Sequence, residues 1–519
     1  MRTIKTLFPA LLFILCALPG CKPDVSSINV NLKEMKKINR VDERYQSYNI
    51  EMAEVIGGNF WKPYDKMKTD TVAADSKKLD IGAAGSSLFQ AMEPIDLYNT
   101  RIRILAKAIG PSYVRVSGSW ANSVYFQDDD APAAVKLPKG FRGILTRKEW
   151  KGVIDFSNSV DAKLITSFAI SDGVRDKSGN WTSTEAKKII GFTKSAGGKI
   201  EAAELFNEPN IPIAGGAPAG YDARLYARDV KTFRDFVRSA LPEMQIAGPG
   251  SVGEGINLIS GGSDAMLSSE ELLSAEPMPQ FDIFSYHYYG AVSQRCASMS
   301  KAFTTTPEDA LTEAWLARTD TVLEFNKKLR DKFVSGKTIW LTETADAACG
   351  GNPWAVTFID CFRYLDQLGR LAKGGVSVVY HNTLTASEYG LLDMETHLPR
   401  PHYWAALLWA KLMGPDVLEA GSGAAGVDIF AHSSKGNPAG ITLLVINTNK
   451  NDITLKIPAG GEQYTMTSSE LMGKTVLLNG TELKLGKDDE LPTLTGRPVK
   501  KGKLLLPALS ITFITFSQI

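Results

Sequence analysis

Between Arg40 and Met413 the sequence alternates eight times between a short apolar, strand-like run and an amphipathic stretch with apolar residues three and four apart. No other feature constrains the fold as much. Strands separated by helices of crossover length pair in parallel and cover their sheet with those helices. The runs are SYNIEMAEV from Ser47, SYVRVSG from Ser112, KLITSFAIS from Lys163, AAELFNEP from Ala202, QIAGPGS from Gln245, FDIFSYHYY from Phe281, TIWLTETA from Thr338 and GVSVVYHNTL from Gly375. Eight such units predict an α/β fold, a (β/α)8 TIM barrel. The helical stretches between them include TRKEWKGVIDFSNSV, GYDARLYARDVKTFRDFVRSAL and WAVTFIDCFRYLDQLGRLAKG, with Gly and Pro at their ends.

Beyond Met413 the pattern changes to short alternating runs separated by turn signals, among them GITLLVINT, NDITLKIP, KTVLLNG and SITFITF, which predicts a C-terminal β-sandwich over 414–519. A chain of 519 residues exceeds what one hydrophobic core usually supports, so the barrel at 40–413 and a smaller second domain are expected together. Residues 21–39 are too few for a domain; VSSINVNLK reads as a tether that adds one strand to the sandwich.

At the N-terminus, Arg2 and Lys5 precede the apolar run LFPALLFILCAL, and Pro19-Gly20 precede Cys21. This reads as an export signal over residues 1–20, too short to span a membrane. Gly20-Cys21, with Leu18 three places before the cysteine, resembles a bacterial lipoprotein box, in which the cysteine is lipidated. The expected location is therefore outside the cytoplasm, periplasmic or membrane-attached, with membrane contact only through that lipid. Removing the signal takes away two cations and no anions, leaving 56 basic against 57 acidic residues. Such a balance speaks against a nucleic-acid partner, which needs a basic surplus. Cys296, Cys349 and Cys361 remain in the body; either Cys296 pairs with Cys349, or all three are unpaired.

In such a barrel the reactive groups sit where strands end at the C-terminal face. Glu208 closes the fourth run inside Asn207-Glu208-Pro209, and Glu343 closes the seventh inside Thr342-Glu343-Thr344. Asn-Glu-Pro by itself turns up by chance in about one chain in twenty of this length. Its position, with a second glutamate ending the seventh run, is what makes it informative. Two carboxyl groups ~5 Å apart are what glycoside hydrolysis with retention requires, one to protonate the leaving oxygen and one to attack the anomeric carbon.

ELFNEPN is similar to the acid/base motif of the clan A hydrolases, and WLTETADAACGG resembles the nucleophile segment of glycoside hydrolase family 79, the heparanase and β-glucuronidase family. RYQSYNIEMAEV, ILAKAIGPSYVRVSGS, SYHYYG and the tail from VLLNGTELKL to SITFITF are similar to other parts of that family, so the likeness runs from about Arg40 to the end. The resemblance implies removal of β-linked glucuronic acid from oligo- or polysaccharides, with Glu208 as proton donor and Glu343 as nucleophile. It implies that Asn207 contacts the hydroxyl beside the reacting carbon and that Tyr288 orients the nucleophile. Gly350 and Gly351 would hold the glucuronate carboxylate through their N–H groups, and Tyr389 would hydrogen-bond it. Glu51 and Ser119 fall at first- and second-strand positions lining the sugar site, and His287 is a strand-end candidate for a hydroxyl contact, as is His381. Glu51 and Ser119 depart from the family's mammalian pattern, as does Cys349. Tyr286 reads as packing.

The string GPGSVG carries a proline and lacks its own mononucleotide unit, so it reads as a loop and no cofactor is implied. Five histidines without HExxH spacing and no CxxC pair predict no metal. Exo action is expected from the near-neutral charge. An endo-acting enzyme of heparanase or hyaluronan type and a non-catalytic glycan-binding lipoprotein are the rival readings.

Overall fold

The computed structural model describes residues 27–67, 88–134, 136–256, 258, 266–297 and 303–517; the export segment and Cys21 lie outside them. Eight parallel strands close a barrel: β1 (Gln46–Glu51), β2 (Ser112–Ser117), β3 (Ala162–Ser167), β4 (Ile200–Glu204), β5 (Gln245–Ser251), β6 (Ile283–Tyr289), β7 (Thr338–Ala345) and β8 (Val376–His381). They pair in sequence order, and closure comes from β8 against β1, with Val379 opposite Gln46 and His381 opposite Tyr48.

A helix follows each strand. Those after β2, β4 and β7 are Arg147–Ser159, Ala223–Ala240 and Ile359–Lys373. Their starts are written in the sequence. Thr146 caps the first of them in a reciprocal box, its hydroxyl accepting from Glu149 N–H while Glu149 accepts from Thr146 N–H at 2.7 Å. Asp222 caps the second by accepting from Leu225 N–H at 2.7 Å.

Strand alternation sorts the barrel interior into layers. The lower layer is apolar, formed by Tyr113, Ile165, Ala202, Ala247, Ile283, Trp340, Val378 and Tyr380. Two residues further along β2 and β4 the same inward face carries Arg115 and Glu204, both 1 % exposed. A charged layer thus lies on an apolar floor, under the rim where the strands end.

The sandwich consists of a nine-stranded and a three-stranded sheet enclosing Leu443, Leu455, Ile514 and Phe516. The N-terminal segment supplies two strands to it, the one expected within VSSINVNLK and a second beyond it. Ser27–Asn29 pairs in parallel with Ile453–Ile457, and Lys37–Arg40 pairs antiparallel with Met413–Leu418. The second escaped sequence reading because KINR has a single apolar residue, Ile38, and that one is 43 % exposed. KTVLLNG contributes only Leu477–Leu478 as strand.

The helix Ile359–Lys373 is buried between barrel and sandwich, where Gly369 is required, since a Cβ there would meet the Phe430 ring at 2.4 Å. Arg370 on that helix reaches Asp366, Asp320 and Glu313, and also Asp428 of the sandwich at 3.3 Å. Among the described residues no helix is long and apolar enough to cross a membrane.

Candidate active site

Glu208 lies just past β4 with φ of +54°, a left-handed conformation that a non-glycine residue adopts at a cost. Glu343 lies on β7, where the ladders to β6 and β8 are both irregular. Together with His287 of β6, their ligand-type atoms all lie within 4.8 Å of one another. The two carboxyl groups that the sequence pointed to are therefore neighbours across the barrel mouth.

Their environments differ. Among the described residues no arginine is in hydrogen-bond contact with Glu208, and burial raises its pKa to about 7, with Arg115 pulling the other way and Glu204 adding a smaller upward push. Burial, more than the neighbouring charge, keeps it protonated. Glu343 instead receives two donors: the Tyr289 hydroxyl gives its proton to Oε1 at 2.5 Å, and Arg115 Nη1 donates to Oε2 at 3.2 Å. Two donors of this kind fix the direction in which the carboxyl group faces.

Arg115 organises the floor of the site. It donates through Nε and Nη2 to Glu204 at 3.0 and 2.7 Å and through Nη2 to Asn207 Oδ1 at 2.7 Å. Its Nη2 also lies 3.4 Å from His287 Nε2. His287 Nδ1 lies 3.1 Å from Glu208 Oε1 and 3.6 Å from Glu343 Oε2. Burial lowers the His287 pKa to about 4, so the ring between the two acids is neutral. Asn207 has its Oδ1 turned to Arg115 and its backbone clasped by Asn122, which leaves Nδ2 as its free donor.

The tyrosine on the nucleophile is Tyr289, not Tyr288. Side chains alternate along a strand, and His287 already faces inward, so Tyr289 shares its face while Tyr288 points outward. Tyr288 packs by Thr319, Trp315 and Arg363 beneath the helices. The inward assignment of His287 could have corrected this from sequence. Tyr286, on the same outward face, is buried in the packing core as its apolar reading implied.

Gly350 and Gly351, at φ +81° and +83°, follow Cys349 at +64°. A Cβ on Gly350 would meet Ser387 Oγ at 2.5 Å and Trp61 Cβ at 2.7 Å, so only glycine fits. The carbonyls of this turn are tied outward: Cys349 O accepts from Ser293 Oγ at 3.0 Å, and Gly350 O accepts from Ser387 Oγ and Glu388 N–H at 2.8 and 3.2 Å. In a trans peptide the C=O and the next N–H point opposite ways. The Gly350 and Gly351 N–H groups therefore face away from those ties, and neither has a hydrogen-bond acceptor among the described residues. Consecutive amides of this kind form an anion-binding concavity. Tyr389 packs against Gly351, and His381 and His402 bond its backbone carbonyl, which makes both histidines structural.

Glu51 is buried at the end of β1, its pKa raised well above the ordinary value by burial and then by Glu343. Ser119 sits in the turn after β2, half-buried, with no described contact to the carboxylate pair. Cys296, Cys349 and Cys361 are free thiols, so of the two expectations for them the unpaired one holds and Cys296 is not bridged to Cys349. Glu208, His287 and Glu343 also form the described group whose spacing could hold a metal ion, but Arg115 already brings a cation to Glu343.

A buried carboxyl and an ion-paired carboxylate at the C-terminal mouth of a (β/α)8 barrel define a glycoside hydrolase. The family model described as glycosyl hydrolase family 79, N-terminal domain, matches residues 80–369, and the chain belongs to that family. It is 27 % identical over 485 residues to a heparanase of Mus musculus, covering 80 % of this chain and 85 % of that protein. A stretch of 173 residues is 35 % identical to a baicalin-beta-D-glucuronidase of Scutellaria baicalensis, covering 31 % of this chain and 32 % of the relative. Among solved structures, a 4-O-alpha-L-rhamnosyl-beta-D-glucuronidase of Fusarium oxysporum superimposes with a TM-score of 0.63 at 14 % identity, covering 95 % of this chain and all of that one, a likeness of fold.

Proposed function

We propose that this glycoside hydrolase is a retaining, exo-acting β-glucuronidase that works by double displacement, with Glu343 as nucleophile and Glu208 as acid/base. The observation that carries the reading is the approach of the two carboxyl groups within 4.8 Å, each in an environment suited to one role. Retaining enzymes hold the pair ~5 Å apart, whereas inverting ones leave a wider gap for water.

The chemistry follows from the surroundings. Tyr289 and Arg115 hold Glu343 as a carboxylate aimed at the anomeric carbon, while Glu208 donates its proton to the departing glycosidic oxygen. Once ionised, Glu208 accepts a proton from the water that releases the sugar. The untied N–H groups of Gly350 and Gly351, with the Tyr389 hydroxyl, give a uronate carboxylate its donors without requiring a cation. The relative whose name states a beta-D-glucuronidase activity supports the same substrate class. The near-neutral charge supports a chain-end substrate over a long sulfated polymer, and the N-terminal segment supports export with a lipid on Cys21.

Purified enzyme offered p-nitrophenyl β-glucuronide, β-glucoside and β-xyloside tests the assignment. Release from the glucuronide alone is expected; equal release from all three would refute uronate recognition, and release from none would favour the endo or binding readings.

A further inference from the structure

The residue after β8, Asn382, takes no part in the chemistry just described, yet it touches both tyrosines that the site uses. It is 1 % exposed, and its Nδ2 donates to the Tyr289 hydroxyl at 3.0 Å and to the Tyr389 hydroxyl at 3.3 Å. Its backbone N–H is bonded to Thr344 O at 2.8 Å, one residue past the nucleophile. An amide nitrogen has two hydrogens and no lone pair to offer, so both phenol oxygens accept from it. Each phenol must then send its own hydrogen elsewhere.

For Tyr289 that direction is Glu343 Oε1, at 2.5 Å. Tyr389 has no acceptor among the described residues, so its hydrogen is left for a ligand. The opposite orientation of the amide would place Oδ1 against the phenols and draw the Tyr289 hydrogen away from Glu343, which the short contact between Tyr289 and Glu343 contradicts. Oδ1 meanwhile is buried without a described partner.

We infer that Asn382 is a positioning residue that sets the hydroxyl directions of Tyr289 and Tyr389, so that one hydrogen supports the nucleophile and the other is presented to the uronate carboxylate. The inference rests on the assignment of Glu343 as nucleophile. It separates Asn382 from ordinary packing, because its effect must pass through the two phenols and should split between rate and affinity.

Two double-mutant cycles test it, on p-nitrophenyl β-glucuronide. Asn382→Ala is expected to lower kcat about tenfold in the native background and less than twofold beside Tyr289→Phe. It should raise KM several-fold natively, and less than twofold beside Tyr389→Phe. Asn382→Asp keeps the size but loses both donors, and serves as the same test if the alanine variant misfolds; it should fall at least as far. Equal losses of kcat with and without the Tyr289 hydroxyl, or native kcat in Asn382→Asp, would overturn the inference. Glu343→Ala, run in parallel, keeps the two claims distinct: loss of turnover there with additive cycles refutes only the role of Asn382, whereas full turnover there refutes the nucleophile itself.

Discussion

The pH dependence of kcat/KM follows from the burial of Glu208. With its pKa raised from 4.5 to about 7, the neutral form is favoured by ~3 kcal/mol relative to a carboxyl in water. A general acid must be protonated in the free enzyme, so kcat/KM on a natural glucuronide should be flat to about pH 6.5 and then fall about tenfold per pH unit above 7. His287, at about 4, is neutral throughout that range and contributes no limb. Asp346 and Glu54 are also raised to about 7 by burial, so the limb alone does not identify its owner. Glu208→Gln separates them. On p-nitrophenyl β-glucuronide, whose leaving group needs little protonation, this variant should retain turnover, lose the basic limb and respond to added azide. A limb that persists near pH 7 in Glu208→Gln, or equal loss on aryl and natural substrates without azide rescue, would refute the assignment. The same shift has a stability sign: a carboxyl whose folded pKa lies above its unfolded one contributes stability that is complete below about pH 4.5 and lost as pH rises through 7. Chemical denaturation at pH 5 and pH 8 should therefore show the enzyme more stable at the lower pH.

Tyr289→Phe should lower kcat on the order of 100-fold while Tyr288→Phe leaves it within twofold, because only the former donates to Glu343; comparable losses would contradict the inward placement of Tyr289. Gly350→Ala places a Cβ against Ser387 and Trp61 at a left-handed position, so KM for the glucuronide should rise more than tenfold and the preference over the glucoside should collapse; an unchanged preference would remove the carboxylate from that turn. Arg370→Met strands the fully buried Asp366 and cuts the link to Asp428, for a loss of about 3–5 kcal/mol. Calorimetry should show a lowered thermal midpoint with kcat at 25 °C retained.

The barrel was legible because its strands are uniformly short, apolar and separated by helices of crossover length, and the two glutamates because strand ends at one face are where such a fold exposes carboxylates. What escaped were the residues whose role depends on register. Arg115 sits in the middle of SYVRVS and reads as one polar residue in an apolar run, yet its inward phase places it under both acids. Glu204 does not stand out inside AAELFNEP, although four residues before Glu208 it is the counter-charge that allows Arg115 to be buried. Tyr288 and Tyr289 are hard to tell apart in sequence because neighbouring identical residues differ only in pleat. Asn382 is invisible in sequence, since its importance lies in two hydroxyls contributed by other parts of the chain. The glycines at 350 and 351 came from family likeness; the structure adds the physical reason, a left-handed turn with outward-tied carbonyls.

The most direct test is to identify the atom that attacks. A 2-deoxy-2-fluoro-β-glucuronide with a reactive leaving group should inactivate the enzyme by leaving one fluoroglucuronyl residue esterified to Glu343, found by mass spectrometry on the peptide that contains it, and hydrolysis of a natural glucuronide followed by NMR should release the β-anomer first. Esterification of a different carboxylate, or first release of the α-anomer, would contradict the account.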